Sequence, residues 1–420
     1  MRGDWTTQKV SDFATVVGGG TPTTSDPTNF EGDVAWITPK DVSGLEGRYI
    51  SRGQRNITLQ GLKGSGARLL PCGTVLLSTR APVGLVVIAE AELSTNQGFR
   101  SLIPIENNDS LFIYYLLRNA RPYLEQHAVG STFKELPGGV LKNLEFLMPP
   151  PDEQRAISSV LGALDDKIAL NTAMNETLEA TARALFRDWF VDFGPVRAKM
   201  EGRVPYLAPD VWALFPDRLD EEEKPEGWSW SVIGSDFNLT MGQSPPGDTY
   251  NSDENGVPFF QGSTDFGIRY PQRRKFCTAP TRMARTDDTL VSVRAPVGDI
   301  NMAWEECCIG RGVAAVRHKL GYRSFTFYAL HNLRGHFSQF EHTGTVFGAI
   351  NKAQFERLPV ISPPSNMMEA FDAATSPLDE RIRSNNGESY SLSCLRDALL
   401  PRLLSGQLGV ADVTQISEAA

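Results

Sequence analysis

Short apolar runs bounded by Gly, Pro and Asp fill much of the chain, and they predict strands. Val34-Ala35-Trp36-Ile37 and Val257-Pro258-Phe259-Phe260 are two of them. Residues 73–78 and 289–293 predict longer strands, and 85–89 predicts a return strand after a tight Pro- and Gly-containing connection. Short helices are expected near 111–119 and 325–333. The pattern then changes. From 152 to about 191 apolar residues recur every seven positions, at Ile157, Leu164, Leu178 and Leu185, with Asn171 in the middle of the ladder. Phe371, Leu378, Asn385, Leu392 and Leu399 form a second ladder with an Asn in the same place. Pro377 and Asn385-Asn386-Gly387 are expected to weaken that second helix and to mark where it could break. Strand-rich units followed by long helices make the fold class α+β.

The two ladders belong to a longer repeat. Arg80-Ala81-Pro82-Val83-Gly84 recurs as Arg294-Ala295-Pro296-Val297-Gly298, an offset of 294 − 80 = 214 residues. Gly98 answers Gly312, Tyr114 answers Tyr328, Pro149-Pro150 answers Pro363-Pro364, and 164–168 answers 378–382 in the same register. Upstream the offset slips, with Thr21-Pro22 answering Ser244-Pro245 at 244 − 21 = 223. Two copies are too few for a solenoid. They imply two similar α+β domains related by a pseudo-twofold axis and held apart by paired antiparallel helices. The expected boundaries are a first domain at 1–151, a helical region at 152–193, a linker at 194–226, a second domain at 227–364, a second helical region at 365–406 and a tail at 407–420. Asn171 and Asn385 are each central in a ladder, so they are expected to fix the register of an antiparallel coiled coil. Leu161, Phe186 and Phe190 are expected on outward faces that a partner protein would cover.

Composition narrows the function. No run is apolar enough to span a membrane, and the first ten residues carry no signal-peptide pattern. Five cysteines without CxxC spacing fit a reduced, cytoplasmic setting. The net charge of −9 argues against nucleic acid until it is divided. Residues 1–151 balance 14 Lys/Arg against 14 Asp/Glu, and 227–363 carry 14 against 12, so the excess acid lies in the helices and linker. Both repeated domains can therefore present a basic face.

Catalytic signatures are missing from the sequence. It contains no GxxxxGK[ST] phosphate loop, no dinucleotide fingerprint and no Asn/Asp-Pro-Pro-Tyr/Phe methyltransferase motif. Gly18-Gly19-Gly20 precedes no helix and predicts a plain turn. His331, His336, His342 and Cys307-Cys308 do not have zinc-site spacing. Basic residues are the better signal. Lys40, Arg48, Arg52, Arg55, Lys63 and Arg68 in the first copy face Arg269, Arg273, Arg274 and Lys275 in the second, and all are candidate DNA contacts. Arg80, Arg294 and Lys134 join them, and Asn96-Gln97 and Lys134-Glu135 are candidates for base edges.

At this point the chain resembles the DNA specificity (S) subunits of type I restriction–modification systems. The tandem layout carries the resemblance together with the paired turns at 80–84 and 294–298. So do Pro149-Pro150-Pro151-Asp152-Glu153-Gln154-Arg155, residues 161–168, residues 185–193, residues 194–202 and Pro225-Glu226-Gly227-Trp228. The resemblance implies two target-recognition domains, each reading one half of a bipartite site in double-stranded DNA. It implies two helical regions that bind two modification (methyltransferase) subunits, with restriction (translocase and nuclease) subunits joining the complex. S-adenosylmethionine, ATP and Mg²⁺ would serve those partners, leaving this chain non-catalytic and without a cofactor or metal. The second helical segment opens on Ser365-Asn366-Met367-Met368 where the first has Asp152-Glu153-Gln154-Arg155, a departure that bears on how strongly a second modification subunit is held. The competing readings are a methyltransferase or nuclease with diverged motifs, and an adaptor for the methyltransferase of another defence system.

Overall fold

The computed structural model describes residues 4–45, 47–80, 82–130, 134–340 and 348–413. The chain divides into two units: residues 1–170 with 389–420, and residues 171–388. The boundary cuts each long helix, so each unit contains a strand-rich part and segments of both helices.

In the first unit, a five-stranded sheet runs in the order Ala14–Gly18, Phe99–Pro104, Val75–Thr79, Val83–Ala89, Tyr49–Ile50. All its pairings are antiparallel except the last. Val75–Thr79 is buried throughout because both faces of the sheet are covered. Alternation sorts its side chains: Val75 and Leu77 pack with Phe112, Ile113 and Leu117 of the Ser110–Asn119 helix, whereas Leu76 packs with Val87, Ala89 and Phe99 on the other side. Ile157 and Leu161 of one long helix and Leu399, Leu400, Leu403 and Leu404 of the other complete the helix-side core.

In the second unit, a four-stranded antiparallel sheet follows the same plan, Phe237–Met241, Val313–His318, Thr289–Ser292, Ile300–Met302. Val291 and Val316 point to the helix-side core, and Leu290, Val313 and Ala315 to the opposite one. The helix-side core is aromatic: Phe186, Trp189, Phe190, Trp228, Phe325 and Phe371 are all buried in it. The helix segments of this unit run antiparallel, since Asn175 meets Asn385 and, further along, Phe186 meets Phe371 at 5.6 Å.

Two expectations change. Residues 365–404 form one unbroken 40-residue helix despite Pro377 and Asn385-Asn386-Gly387. Burial of Phe371 and Ile382, together with the Asn385–Asn175 hydrogen bond of 2.9 Å, offsets the weak local propensity. Leu161, Phe186 and Phe190 face cores rather than solvent, because the strand-rich part of each unit covers the helix face that a single partner helix would leave bare. The segment 194–226, whose Tyr206, Trp212 and Phe215 suggest a linker that packs, has structure of its own. It forms the helices Gly194–Met200 and Pro209–Leu214, and Phe215 is buried against Trp189 at 5.3 Å. Among the described residues no helix is long and apolar enough to cross a membrane.

Candidate nucleic-acid interface

The repeated turn is built the same way in both units. The Ser78 hydroxyl donates to the Pro82 carbonyl at 2.7 Å and accepts from the Leu85 amide at 2.8 Å. Ser292 donates to Pro296 at 2.6 Å and accepts from Asp299 at 2.8 Å. Gly84 and Gly298 sit at φ of +93° and +91°, where a side chain would be strained, and a Cβ there would strike Arg121 or Phe337. Arg80 and Arg294 pair through their backbones with Glu135 and Ala349, again 214 residues apart. The Arg80 guanidinium also lies 3.8 Å from Glu135. Arg294 is exposed with no side-chain partner among the described residues. Ala81 lies outside the described residues.

Away from the long helices, each unit carries a second repeated device. Gly20 donates its amide to the Thr95 carbonyl at 2.9 Å, and Gln243 donates to Ile309 at 3.0 Å. A Cβ on Gly19 would meet the carbonyl oxygens of Thr95 and Asn96, and one on Gly242 those of Gly310, Val313 and Ile309. Gly19 and Gly242 thus allow close approach to carbonyl acceptors. The Trp36 indole donates to the Gly20 carbonyl at 3.0 Å and closes the turn from behind. The hydroxyl two residues beyond each tight glycine reaches an exposed side chain. Thr21 donates to the Gln97 side-chain carbonyl, and Ser244 accepts from the Arg311 amide at 3.4 Å and from its Nε at 3.5 Å.

The cations singled out from the sequence divide sharply. Lys40, Arg52, Lys63, Arg68 and Lys134 are exposed with no side-chain partner among the described residues, and Lys275 is exposed with its charge acting on Asp265. Arg55 lies over the Phe30 ring at 3.6 Å and 3.2 Å from Glu31. Arg273 pairs with Glu305 at 2.6 Å, and Arg274 lies 3.7 Å from Asp265. Two others are not surface groups. Arg48 turns inward, with its side chain about one-tenth exposed, to Asp166 at 2.5 Å and the Gly162 carbonyl at 3.3 Å. Arg269 is buried and bridges Glu179 of one long helix to Asp379 of the other, the latter at 2.7 Å. Arg269 is enclosed by two buried carboxylates, and Arg48 is turned away from solvent onto Asp166 and the Gly162 carbonyl, so neither guanidinium is presented to phosphate.

Arg269 also donates to the Tyr328 hydroxyl at 2.6 Å and lies 3.9 Å over the Phe327 ring. Burial works against its charge, but Tyr328, Glu179 and Asp379 outweigh burial and hold its pKa above the ordinary value. Burial pushes the Glu179 carboxyl up, and Arg269 only partly restores it. The first unit has a related node at the equivalent position, 214 residues earlier. There Asp165 accepts from the Tyr115 hydroxyl at 2.6 Å and from Arg396 at 2.6 Å. Asn171 and Asn385 are buried and cross between the helices, but not to each other's side chains. Asn171 donates to Glu388 at 2.8 Å and Asn385 to Asn175 at 2.9 Å.

The inward arginines had a sequence signal. Each opens an Arg-Tyr pair, Arg48-Tyr49 and Arg269-Tyr270, offset by 269 − 48 = 221 and so inside the stretch where the register slips from 223 to 214. The exposed Arg311 lies outside any basic run and gave no such signal. Among the described residues no group of His, Cys, Asp and Glu could hold a metal ion. Burial brings His331 down to about 4, and His342 lies outside the described residues.

Comparison with known proteins bears on this geometry. Residues 2–180 match the family model described as the type I restriction modification DNA specificity domain. The type I restriction enzyme MjaIX specificity subunit of Methanocaldococcus jannaschii is 31% identical, over 98% of this chain and 95% of that protein. A putative type I restriction enzyme MjaX specificity subunit from the same organism is 27% identical, over 80% of this chain and 77% of that protein. The crystal structure of the type I restriction–modification S subunit from M. genitalium has a similar fold, with a TM-score of 0.55 at 18% identity, covering 95% of this chain and 96% of that one.

Proposed function

The chain belongs to the specificity subunits of type I restriction–modification systems, and from that membership we propose that it reads a bipartite site in double-stranded DNA, with one unit per half-site. The observation that carries this reading is the duplicated device away from the helices. The same glycine turn, backbone hydrogen bond and hydroxyl recur in both units, and each holds an exposed polar side chain, Gln97 in one and Arg311 in the other. Lys40, Arg52, Lys63, Arg68 and Lys134 in one unit, and Arg273, Arg274, Lys275 and Arg294 in the other, hold the phosphate backbone. Arg55 and Arg80 contribute despite their weak local ion pairs.

The chain itself is a non-catalytic scaffold that works in the cytoplasm. Its long helices pair as an antiparallel coiled coil, recruit two modification subunits and set the number of unread base pairs between half-sites. Restriction subunits join that assembly. S-adenosylmethionine, ATP and Mg²⁺ are used by those partners. Co-expressing the chain with its modification subunits and sequencing the methylated adenines tests the reading. A gapped, two-part motif is expected. Methylation that is absent, or that follows a single uninterrupted motif, overturns it.

A further inference from the structure

We propose that Gln97 and Arg311 are base-reading residues at one and the same position of the repeat, Gln97 suited to an adenine and Arg311 to a guanine. This deepens the reading of the chain as a DNA specificity subunit and rests on it. The two residues are 311 − 97 = 214 apart, and their hydroxyl partners Thr21 and Ser244 are 244 − 21 = 223 apart. The backbone bonds Gly20→Thr95 and Gln243→Ile309 link the two strings at the same offsets, so the equivalence is structural and not only a matter of register.

The chemistry differs only where a reader of two different half-sites would need it to differ. The scaffold keeps the tight glycine and the hydroxyl and changes the side chain they present. Thr21 donates to the side-chain carbonyl of Gln97, which fixes the amide plane. That oxygen retains a lone pair, and the amide nitrogen retains its donors, which together are the acceptor and donor that adenine N6 and N7 require. Ser244 holds Arg311 at its backbone amide and Nε and leaves both terminal nitrogens to donate, the pair that guanine O6 and N7 accept. Both side chains are exposed. Both are followed by a glycine that lets a neighbouring loop in close behind: a Cβ on Gly98 would meet Pro39, and one on Gly312 the Gln261 carbonyl. Pro39 adjoins exposed Lys40, and the Ile309 amide donates to the carbonyl of exposed Arg282, so the segment packed beside each reader also carries an exposed cation that could hold phosphate.

The test is selection from a duplex library randomised at every position, using the full chain assembled with its modification subunits. The wild type is expected to select an A·T pair in one half-site and a G·C pair in the other at the positions these residues read. Gln97→Ala and Arg311→Ala should each abolish preference at a single base pair of a single half-site, lowering discrimination there roughly ten- to a hundredfold. Arg311→Gln should turn that position toward A·T. Ser244→Ala keeps the arginine but loosens it, so it should lower discrimination at the same base pair by a smaller factor. Unchanged melting temperatures separate these effects from misfolding. An unchanged motif in the alanine variants overturns the inference, and so does a loss spread evenly over all sequences, which would make Arg311 a phosphate contact. A wild-type complex that selects no motif overturns the functional reading itself.

Discussion

Asp165 and Asp379 occupy the same position of the repeat, yet they anchor their units differently. Asp165 is about one-eighth exposed and takes its cation, Arg396, from the other long helix. Asp379 is almost fully buried and takes its cation, Arg269, from the strand-rich part of the second unit, sharing it with Glu179. Ser324 also donates to Asp379, and Arg323 lies 3.8 Å away. In the first unit the strand-rich part reaches the helix through Tyr115 and through Arg48 on the adjacent Asp166. The duplicated position thus retains the carboxylate, and each copy has assembled a different set of donors around it. A node in which one buried cation is shared by two buried carboxylates loses most when that cation is removed, whereas a node that water partly reaches loses less.

The largest expected effect follows directly. Arg269→Ala leaves Glu179 and Asp379 buried without their shared partner and should destabilise the second unit by about 3–5 kcal/mol. Arg396→Ala leaves Asp165 its Tyr115 bond and some solvent, and should cost the first unit about 1–2 kcal/mol. Hydrogen exchange resolved by unit checks both, and equal losses would break the comparison.

The serine turns should behave alike, because they are built alike. Ser78→Ala and Ser292→Ala each remove a donor and an acceptor from part-buried backbone partners, an expected cost of about 1–2 kcal/mol in either unit. Urea unfolding of both variants measures the pair. Costs differing by more than the spread of the measurement would mean that the surrounding packing, not the turn, sets the energy.

Asp372 sharpens the contrast through pH. Burial pushes its carboxyl up to about 6, although it accepts the Phe325 amide at 2.8 Å at the start of the Arg323–Asn332 helix. Its counterpart in the first unit, 372 − 214 = 158, is Ser158, which does not titrate in this range. A carboxyl whose folded pKa is raised contributes its stability fully below its ordinary value and loses it as pH rises through the folded value. The second unit should therefore weaken between about pH 4 and pH 6, by on the order of 1–2 kcal/mol once partial exposure is allowed for, while the first does not share this term. Asp372→Asn should flatten the difference, read as melting temperature against pH.

The smallest effect concerns the helix pair. Asn385→Leu alone orphans the buried Asn175 side chain, whereas Asn385→Leu with Asn175→Leu removes both partners together. The double variant should return to within about 1 kcal/mol of the wild type in thermal unfolding. A double variant that is worse than the single one would show that the two residues do not act as a pair.

Much of this architecture was legible along the chain. The 214-residue offset, the strands flanking the Arg-Ala-Pro-Val-Gly turns and the heptad ladders are local patterns, and the corresponding strands and helices are present. The site was less legible. A basic stretch looks the same whether its arginines face water or a buried carboxylate, and Arg48 and Arg269 were read as surface groups for that reason. Leu161, Phe186 and Phe190 were placed outside because the ladder counts one partner helix and takes no account of the strand-rich part that packs across it.

The sequence by itself determined the 214-residue repeat of motifs, the α+β class and the continuity of apolar faces, because periodicity and repeated motifs are properties of neighbouring residues. Only the tertiary structure decided which charges pair with which. Arg269 meets Glu179 across 90 residues and Asp379 across 110, and Thr21 meets Gln97 across 76. Partners at such separations are chosen by how sheets and helices stack, and that depends on packing throughout the unit. For the same reason, the register pairs Arg311 with Gln97, but only the fold places a hydroxyl beside each.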